Sequence, residues 1–292
     1  YPPGLYLTVI PGMLLTLDLR MLLQTILAIL DGMSALMVGF LALRLGGDLR
    51  AARMALLLYT GSVAALGALN FGFAAQILGQ WFVAPLGLLL LRDPWPPTGR
   101  TWTLVAIVTV MAVFSHAGGG ALVAGWFGLL LAVLLVTDRH RFGAALAPLA
   151  VAALIGFTLL YVSAAALMLG NAARQVQGAA DGAAGMFPGF SPLLVNGARL
   201  AYGDVGLALL PIGIVCAALS RHPRRMIVVA AWLASALVFL TINVLTTMQV
   251  RYFYFALPAA LALIALPLGK IASRGMSGRV TAWALTLALA LP

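Results

Sequence analysis

Long apolar runs separated by short polar segments dominate the chain. Each run is bounded by charged residues, proline or glycine, and most approach the ~20 residues that cross a bilayer as a helix. None alternates apolar and polar residues as an outer-membrane strand does. The pattern predicts an all-α, polytopic transmembrane helical bundle of about ten spans plus an N-terminal interfacial helix. The predicted spans are residues 21–44, 54–69, 71–91, 101–116, 119–136, 143–169, 203–220, 226–245, 252–269 and 279–292.

Composition excludes a soluble domain. Hydrophobic residues make up 63% of the chain and charged residues only 8%, with a mean hydropathy of +1.09, whereas about a quarter of a soluble domain is charged. The net charge of +10 does not indicate nucleic-acid binding, because the basic residues lie in short clusters between apolar runs. Arginine outnumbers the single lysine, and glutamate is absent, which is typical of a GC-rich bacterial genome. We therefore expect a multi-pass protein of a bacterial cell (inner) membrane.

The basic residues are divided unequally between alternate loops. Arg20, Arg174, Arg199 and Arg251 are the only ones in one set of loops. Cytoplasmic loops carry the excess of Lys and Arg, so the other set should be cytoplasmic. That set holds Arg44, Arg50, Arg53, Arg92, Arg100, Arg139, Arg141, Arg221, Arg224, Arg225, Lys270, Arg274 and Arg279.

The first twenty residues form an apolar segment that ends in charge. Residues 4–17 would rise only about 21 Å as a helix, and Pro11-Gly12 interrupts them. We expect this segment to lie in the outer interface with both ends outside; the alternative is a short tilted span accommodated by bilayer thinning. Because residue 1 is not Met and the run from Val280 is short for a span, we expect residues 1–292 to be a single transmembrane domain truncated at both ends.

The longest predicted connection, residues 170–202, is rich in Gly, Ala, Asn and Pro and falls on the extracytoplasmic side. Connections of this length in a compact protein are usually lids or binding loops, or else disordered linkers. Its apolar residues suggest that it rests on the membrane or caps a cavity.

Polar residues within spans are costly and are candidates for function by default. On the predicted topology, most lie in the outer third of the membrane or just beyond it. Asp31 is the exception, because it lies near the midplane, where it needs a partner or is protonated. The alternative is a structural role, in which Asp31 caps the exposed backbone of a neighbouring helix. The outer group comprises Asp18, Arg20, Gln24, Asn70, Gln76, Gln80, Ser115, His116, Asp204, Asn243, Thr246, Thr247, Gln249 and Arg251.

Two of these residues allow both a structural and a functional interpretation. His116 either caps or packs a helix end before three glycines, or contacts substrate. Arg251 either anchors the chain at the interface beside aromatic residues, or clamps a phosphate, which suits guanidinium geometry. The single cysteine, Cys216, lies in an apolar run, and no metal-ligand spacing is present. A divalent cation is compatible with a phosphate-bearing substrate, but no ligand set for one is visible.

Three short motifs stand out: residues 1–6 (YPPGLY), Leu19-Arg20 with the span that follows it, and Arg251-Tyr252 with Pro258 downstream. Together they resemble motifs of the GT-C superfamily of membrane glycosyltransferases, which includes the protein mannosyltransferases. Residues 1–6 resemble the double-proline start that follows the first extracytoplasmic loop of these enzymes. Leu19-Arg20 and the span ending at residues 41–47 are similar to the next helix. Arg251-Tyr252 followed by Pro258 is similar to the segment that opens a late helix.

This resemblance implies a hexosyltransferase-type enzyme that moves a sugar from a polyprenyl-phosphate carrier to an extracytoplasmic acceptor. The family's catalytic acidic residue lies before the double proline, so we expect it upstream of Tyr1 and leave the catalytic residue unknown. The implied partners are the lipid-linked sugar donor and membrane lipids. A secondary transporter or lipid-linked sugar flippase is the alternative function. The candidate substrate-binding residues are Tyr1, Arg20, Asn70, His116 and Arg251.

Overall fold

The computed structural model describes residues 7, 9–14, 18–70, 74–92, 97–162, 165–220, 225–245 and 251–290. A short 3-10 helix (Ile10–Leu14) precedes the bundle, and a π-helical turn (Phe157–Tyr161) follows the seventh α-helix. The α-helices are α1 (Leu19–Arg44), α2 (Leu49–Thr60), α3 (Val63–Asn70), α4 (Ala74–Leu90), α5 (Gly99–Ser115), α6 (Ala117–Thr137), α7 (Arg139–Gly156), α8 (Ala165–Ala218), α9 (Arg225–Leu245), α10 (Arg251–Ala272) and α11 (Met276–Ala290).

Aspartates in the turns begin three of the helices. Oδ1 of Asp18, Asp48 and Asp138 accepts a hydrogen bond from the backbone N–H three residues on, at 3.0, 2.9 and 3.1 Å. Each cap satisfies one of the backbone donors that a helix leaves unpaired at its start. The chain therefore uses three of its seven acidic residues as helix caps, at places where apolar runs meet polar turns.

Helix α10 forms the centre of the bundle. Every residue from Phe253 to Gly269 is buried, and the helix contacts α1, α2, α8, α9 and α11. Small residues make this possible, since a Cβ at Gly269 would lie 2.7 Å from the Cβ of Ala51. Close approach through small side chains is how helices associate where lipid removes the hydrophobic driving force.

The outer helices present apolar side chains outward. Ile29, Phe40, Ile107 and Leu154 are each between 56% and 66% exposed. Apolar faces of this extent would be unfavourable in water but are suited to lipid. This arrangement supports a membrane protein.

Six described segments are long and apolar enough to cross a membrane, and three apolar helices are shorter. The all-helical membrane class is therefore supported, while the figure of ten spans stays a prediction. The six segments are Leu19–Arg44, Leu49–Gly67, Gly118–Thr137, Arg139–Leu159, Val195–Ala218 and Phe253–Ala272. The shorter ones are Ile77–Leu90, Gly99–Ser115 and Arg225–Val238.

Three predicted elements differ from the structure. The span at 54–69 begins earlier, at Leu49, and is broken into α2 and α3. The span at 143–169 ends sooner, because Ala165 already belongs to α8. The predicted connection 170–202 is wrong, since it lies within α8. Its alanines, glutamines and arginine have high helix propensity, which outweighs the scattered glycines over residues 171–184.

The described part of the opening segment is helical, with Leu7 and Val9 in α-helical conformation and a 3-10 helix at Ile10–Leu14. Pro11 and Gly12 lie within it, and Gly12 packs closely against the side chain of Leu22. Leu14 is 90% exposed. The position of this segment in the outer interface stays a prediction, and residues 1–6, 8 and 15–17 lie outside the described residues.

The two ends of the bundle differ in charge. The guanidinium of Arg225 donates to the backbone carbonyl oxygen of Arg44, and Gly46 packs against Ser220. The C-terminus of α1, the end of α8 and the start of α9 therefore meet at one end, which we call the basic end. A 26-residue helix such as α1 is about 39 Å long. Its first turn, with Arg20, thus lies at the opposite end, which we call the polar end.

Candidate functional site

The predicted substrate-binding residues lie on helix ends at the polar end. Arg20 is in the first turn of α1, and its side chain is exposed. Asn70 is the last residue of α3, and Arg251 is the first residue of α10. The side chains of Asn70 and Arg251 lie outside the description, as does all of Tyr1. Their contact with a substrate stays a prediction.

His116 joins α5 to α6 with an extended backbone, φ −156° and ψ 121°. Its Nδ1 accepts a hydrogen bond from the backbone N–H of Gly119 at 2.9 Å. A nitrogen that accepts cannot carry a proton, so the neutral ring is protonated at Nε2. A Cβ at Gly79 would lie 2.9 Å from the Cβ of His116, so α4 packs directly on this junction. The predicted capping and packing role is present; the substrate contact stays a prediction.

The helix pair α2–α3 is interrupted at Gly61-Ser62, within an apolar segment. Backbone hydrogen bonds from Gly61 N–H to Leu57 O (3.0 Å) and from Ser62 N–H to Tyr59 O (3.1 Å) end α2. A side chain at Gly61 would overlap the backbone of Ala290, the last residue of α11. Glycine therefore permits α11 to approach the interruption.

A second interruption divides α8 at Gly203, whose φ of 69° and ψ of 159° are not helical. A positive φ favours glycine, because a Cβ would clash with the backbone. Arg199 and Asp204 lie on either side of this residue and form an ion pair, with 2.8 Å between Nε and Oδ1. Both side chains are more than half exposed, 58% and 74%.

A cavity of about 250 Å³ lies between the two interruptions. Leu58 and Ser62 of the first interruption form one side, and the turn around Gly203 forms the other. The ion pair provides the charged groups of the lining, while α10 and α11 provide apolar walls. The lining residues from these two helices are Leu261, Ile264, Ala288 and Leu289.

Asp31 is hydrogen-bonded to two tyrosines, one of which, Tyr59, directly follows Leu58 of the cavity lining. The hydroxyl of Tyr59 donates to Asp31 Oδ1 at 2.8 Å, and that of Tyr254 donates to the same oxygen at 3.2 Å. The two hydroxyl oxygens are 3.2 Å apart. Both tyrosines are buried, at 0% and 2% exposure. The expectation that Asp31 needs a partner is met by side chains rather than by a helix end.

The sequence pattern identifies Asp31 but not its partners Tyr59 and Tyr254, and it does not identify Arg199 as the partner of Asp204. Tyr254 lies in an aromatic run beside Arg251, and Tyr59 lies in an ordinary apolar run. A usable signal was the tyrosine–threonine–glycine–serine sequence at residues 59–62, since polar residues with glycine inside a span indicate an interruption.

Gln80 is another polar residue in the interior. It lies in α4 and is 3% exposed, and its Nε2 has no hydrogen-bond partner among the described residues. No group of three or more His, Cys, Asp or Glu side chains that could hold a metal ion occurs in the described ranges.

No protein-family model, no curated protein and no solved structure matches this chain. Function has to be inferred from its own residues and their geometry.

Proposed function

We propose that the protein is a membrane glycosyltransferase of the GT-C type, which transfers a sugar from a polyprenyl-phosphate carrier to an extracytoplasmic acceptor. The observation that carries this proposal is the cavity between the two helix interruptions. It combines an arginine with walls of leucine and isoleucine. A lipid-linked phosphate needs both features, because the arginine would bind its phosphate and the apolar walls would contact its isoprenoid chain.

The ion pair in the cavity favours this assignment. An exposed pair such as Arg199–Asp204 contributes only about 0–1 kcal/mol, because water screens both charges. The phosphate of the donor is a diester with one negative charge, and it can bind a guanidinium through two parallel hydrogen bonds in a geometry that suits arginine. It would therefore displace Asp204 from Arg199 at little cost.

Arg20 and Arg251, at the same end of the bundle, are the further candidates for phosphate contacts, with Asn70 and His116 as candidate groups around the sugar. In the reaction, the acceptor oxygen forms a bond to the anomeric carbon while the bond from that carbon to the phosphate oxygen breaks. Polyprenyl phosphate leaves with the electron pair, and a base takes the acceptor's proton. That base is not assigned to any residue of this chain.

The test measures release of polyprenyl phosphate from a labelled lipid-linked sugar by the purified full-length protein. We expect Arg199→Ala and Arg251→Ala to raise the donor KM by about tenfold or more, equivalent to at least ~1.4 kcal/mol of lost binding. Arg274→Ala is the matched control, because Arg274 is an exposed arginine beyond the other end of α10. Absence of release with every polyprenyl-phosphate sugar tested would refute the proposal.

One observation favours a second function, namely transport or flipping of a lipid-linked sugar. Interrupted helices that meet near the middle of the membrane are typical of transporters, whose sites lie between half-helices. Here the interruptions at Gly61-Ser62 and Gly203 line one cavity. Movement of a labelled lipid-linked sugar across proteoliposomes, without cleavage of the sugar–phosphate bond, would establish this function instead.

A further inference from the structure

The Asp31–Tyr59–Tyr254 cluster connects three helices that are far apart in sequence. Asp31 lies on α1, Tyr59 on α2 and Tyr254 on α10. By helical rise, Asp31 is about 18 Å from Leu19 and about 20 Å from Arg44, so it lies halfway along α1. A polar residue halfway along a membrane span is costly and is a candidate for function by default.

Each tyrosine is placed one helical turn from a residue of the candidate site. Tyr254 follows Arg251, the first residue of α10, by three positions. Tyr59 precedes Ser62, which lines the cavity, by the same number. The carboxyl of Asp31 thus holds the start of α10 at a fixed distance from the end of α2.

We propose that Asp31 is a positioning residue, which acts through Tyr59 and Tyr254 to set the first turn of α10 relative to the cavity wall. This inference rests on the proposed transferase function for its effect on the donor. Asp31 itself contacts neither substrate nor reacting atoms. Its role is to hold the turn that begins with Arg251 at the distance from Ser62 that the donor phosphate requires.

Two substitutions of Asp31 distinguish a positioning role from a role for its charge. Asp31→Asn keeps a carbonyl oxygen that can accept from a tyrosine hydroxyl, whereas Asp31→Leu keeps the size but removes the acceptor. A positioning role predicts that Asn largely restores function. A role for the charge or for proton transfer predicts that Asn is as defective as Leu.

The expected effects follow from the proposed role of Arg251 in binding the donor phosphate. Displacement of the turn that begins with Arg251 weakens donor binding but does not remove a contact made only in the transition state, so KM should change more than kcat. We expect Asp31→Leu and Tyr254→Phe each to raise the donor KM about tenfold with kcat changed less than about threefold, and Asp31→Asn to stay within about threefold of wild type. The double variant Asp31→Leu/Tyr254→Phe should be no worse than Asp31→Leu alone, because both changes remove the same contact.

The experiment combines donor kinetics with hydrogen–deuterium exchange of the backbone amides of residues 251–257 in the full-length protein. Thr109→Val is the matched control, because it removes a buried hydroxyl that donates to Val105 O at 2.7 Å on α5. Faster exchange at residues 251–257 in Asp31→Leu and Tyr254→Phe, with wild-type exchange in Thr109→Val, is the expected result.

Unchanged exchange at residues 251–257 in Tyr254→Phe and Asp31→Leu would overturn the positioning role, whatever the kinetics. An Asp31→Asn variant as defective as Asp31→Leu would also overturn it, in favour of the charge. If the wild-type protein releases no polyprenyl phosphate, the proposed transferase function fails. The exchange measurement then decides alone whether Asp31 positions this turn.

Discussion

Gly87 on α4 lies directly against the indole ring of Trp232 on α9, so the two residues should respond to substitution together. Trp232 is fully buried and stacks on Trp126, with 4.5 Å between the ring centroids. Its Nε1–H donates to the carbonyl oxygen of Phe255 at 3.1 Å. A Cβ at Gly87 would lie only 2.7 Å from Cζ3 and 3.3 Å from Cη2 of this ring.

The magnitudes follow from these contacts. Gly87→Ala forces an extra methyl group into a filled space, which typically costs about 1–3 kcal/mol of the free energy of unfolding. Trp232→Phe removes a hydrogen bond worth about 0.6 kcal/mol on average in a membrane protein. It also weakens an aromatic pair worth about 0.5–1.5 kcal/mol. We therefore expect a loss of about 1–2 kcal/mol for the second variant.

The double variant should be less destabilised than the sum of the two single variants, by at least about 1 kcal/mol. Phenylalanine lacks the outer atoms Cζ3 and Cη2 that the new methyl group would meet. The remaining neighbour, Leu41 Cδ2, is 3.2 Å from the added Cβ and can shift by rotation. The alanine should thus fill part of the space that the smaller ring leaves.

Equilibrium unfolding in mixed detergent micelles, monitored by circular dichroism, measures all three variants without depending on indole fluorescence. Gly128→Ala is the control, because a Cβ at Gly128 meets no atom within 4 Å. It should be neutral or stabilising by up to about 1 kcal/mol, as expected for alanine in a helix. If the losses of the two single variants sum to the loss of the double variant within about 0.5 kcal/mol, Gly87 and Trp232 do not pack as described.

Three further predictions concern helix ends. Asp138→Ala should lower the free energy of unfolding by about 0.5–2 kcal/mol in the same unfolding assay. Asp138→Asn should have a free energy of unfolding close to that of the wild type, because asparagine also caps helices. Gly61→Leu should destabilise by about 2 kcal/mol or more, because the side chain would overlap the backbone of Ala290; Gly67→Leu, where a Cβ meets nothing within 4 Å, should not. His116→Ala should lower the thermal stability, whereas His116→Asn should keep it, because asparagine also caps helices. If both variants lower the transfer rate, His116 contacts the substrate in addition to capping the helix.

The residues of the cavity and those of the aspartate–tyrosine cluster have different roles in the proposed function. Arg199 supplies a charged group at the cavity, and apolar side chains of α10 and α11 supply its walls. Asp31 and its two tyrosines do not line that cavity, and they join α1, α2 and α10 through hydrogen bonds. Substitutions at Arg199 should therefore remove a binding contact directly, and those at Asp31 should weaken binding by displacing the first turn of α10.

Several features of the protein followed from the sequence alone. The apolar runs correctly predicted α1, α4, α5, α6, α9 and α10 to within a few residues, because in lipid every backbone polar group must be satisfied within a helix. The aspartates in the turns indicate where helices begin, because their side chains cap backbone N–H groups of the first turn. The positions of these elements depend on neighbouring residues only, so a sequence pattern can specify them.

The tertiary structure alone decided which polar residues meet. Asp31 is 28 positions from Tyr59 and 223 from Tyr254, and nothing in its local pattern identifies either partner. The approach of Ala290 in α11 to Gly61 is likewise a contact between distant segments, which no local pattern identifies. Contacts between distant segments are set by how the helices pack, whereas helix formation and capping are set by nearest neighbours.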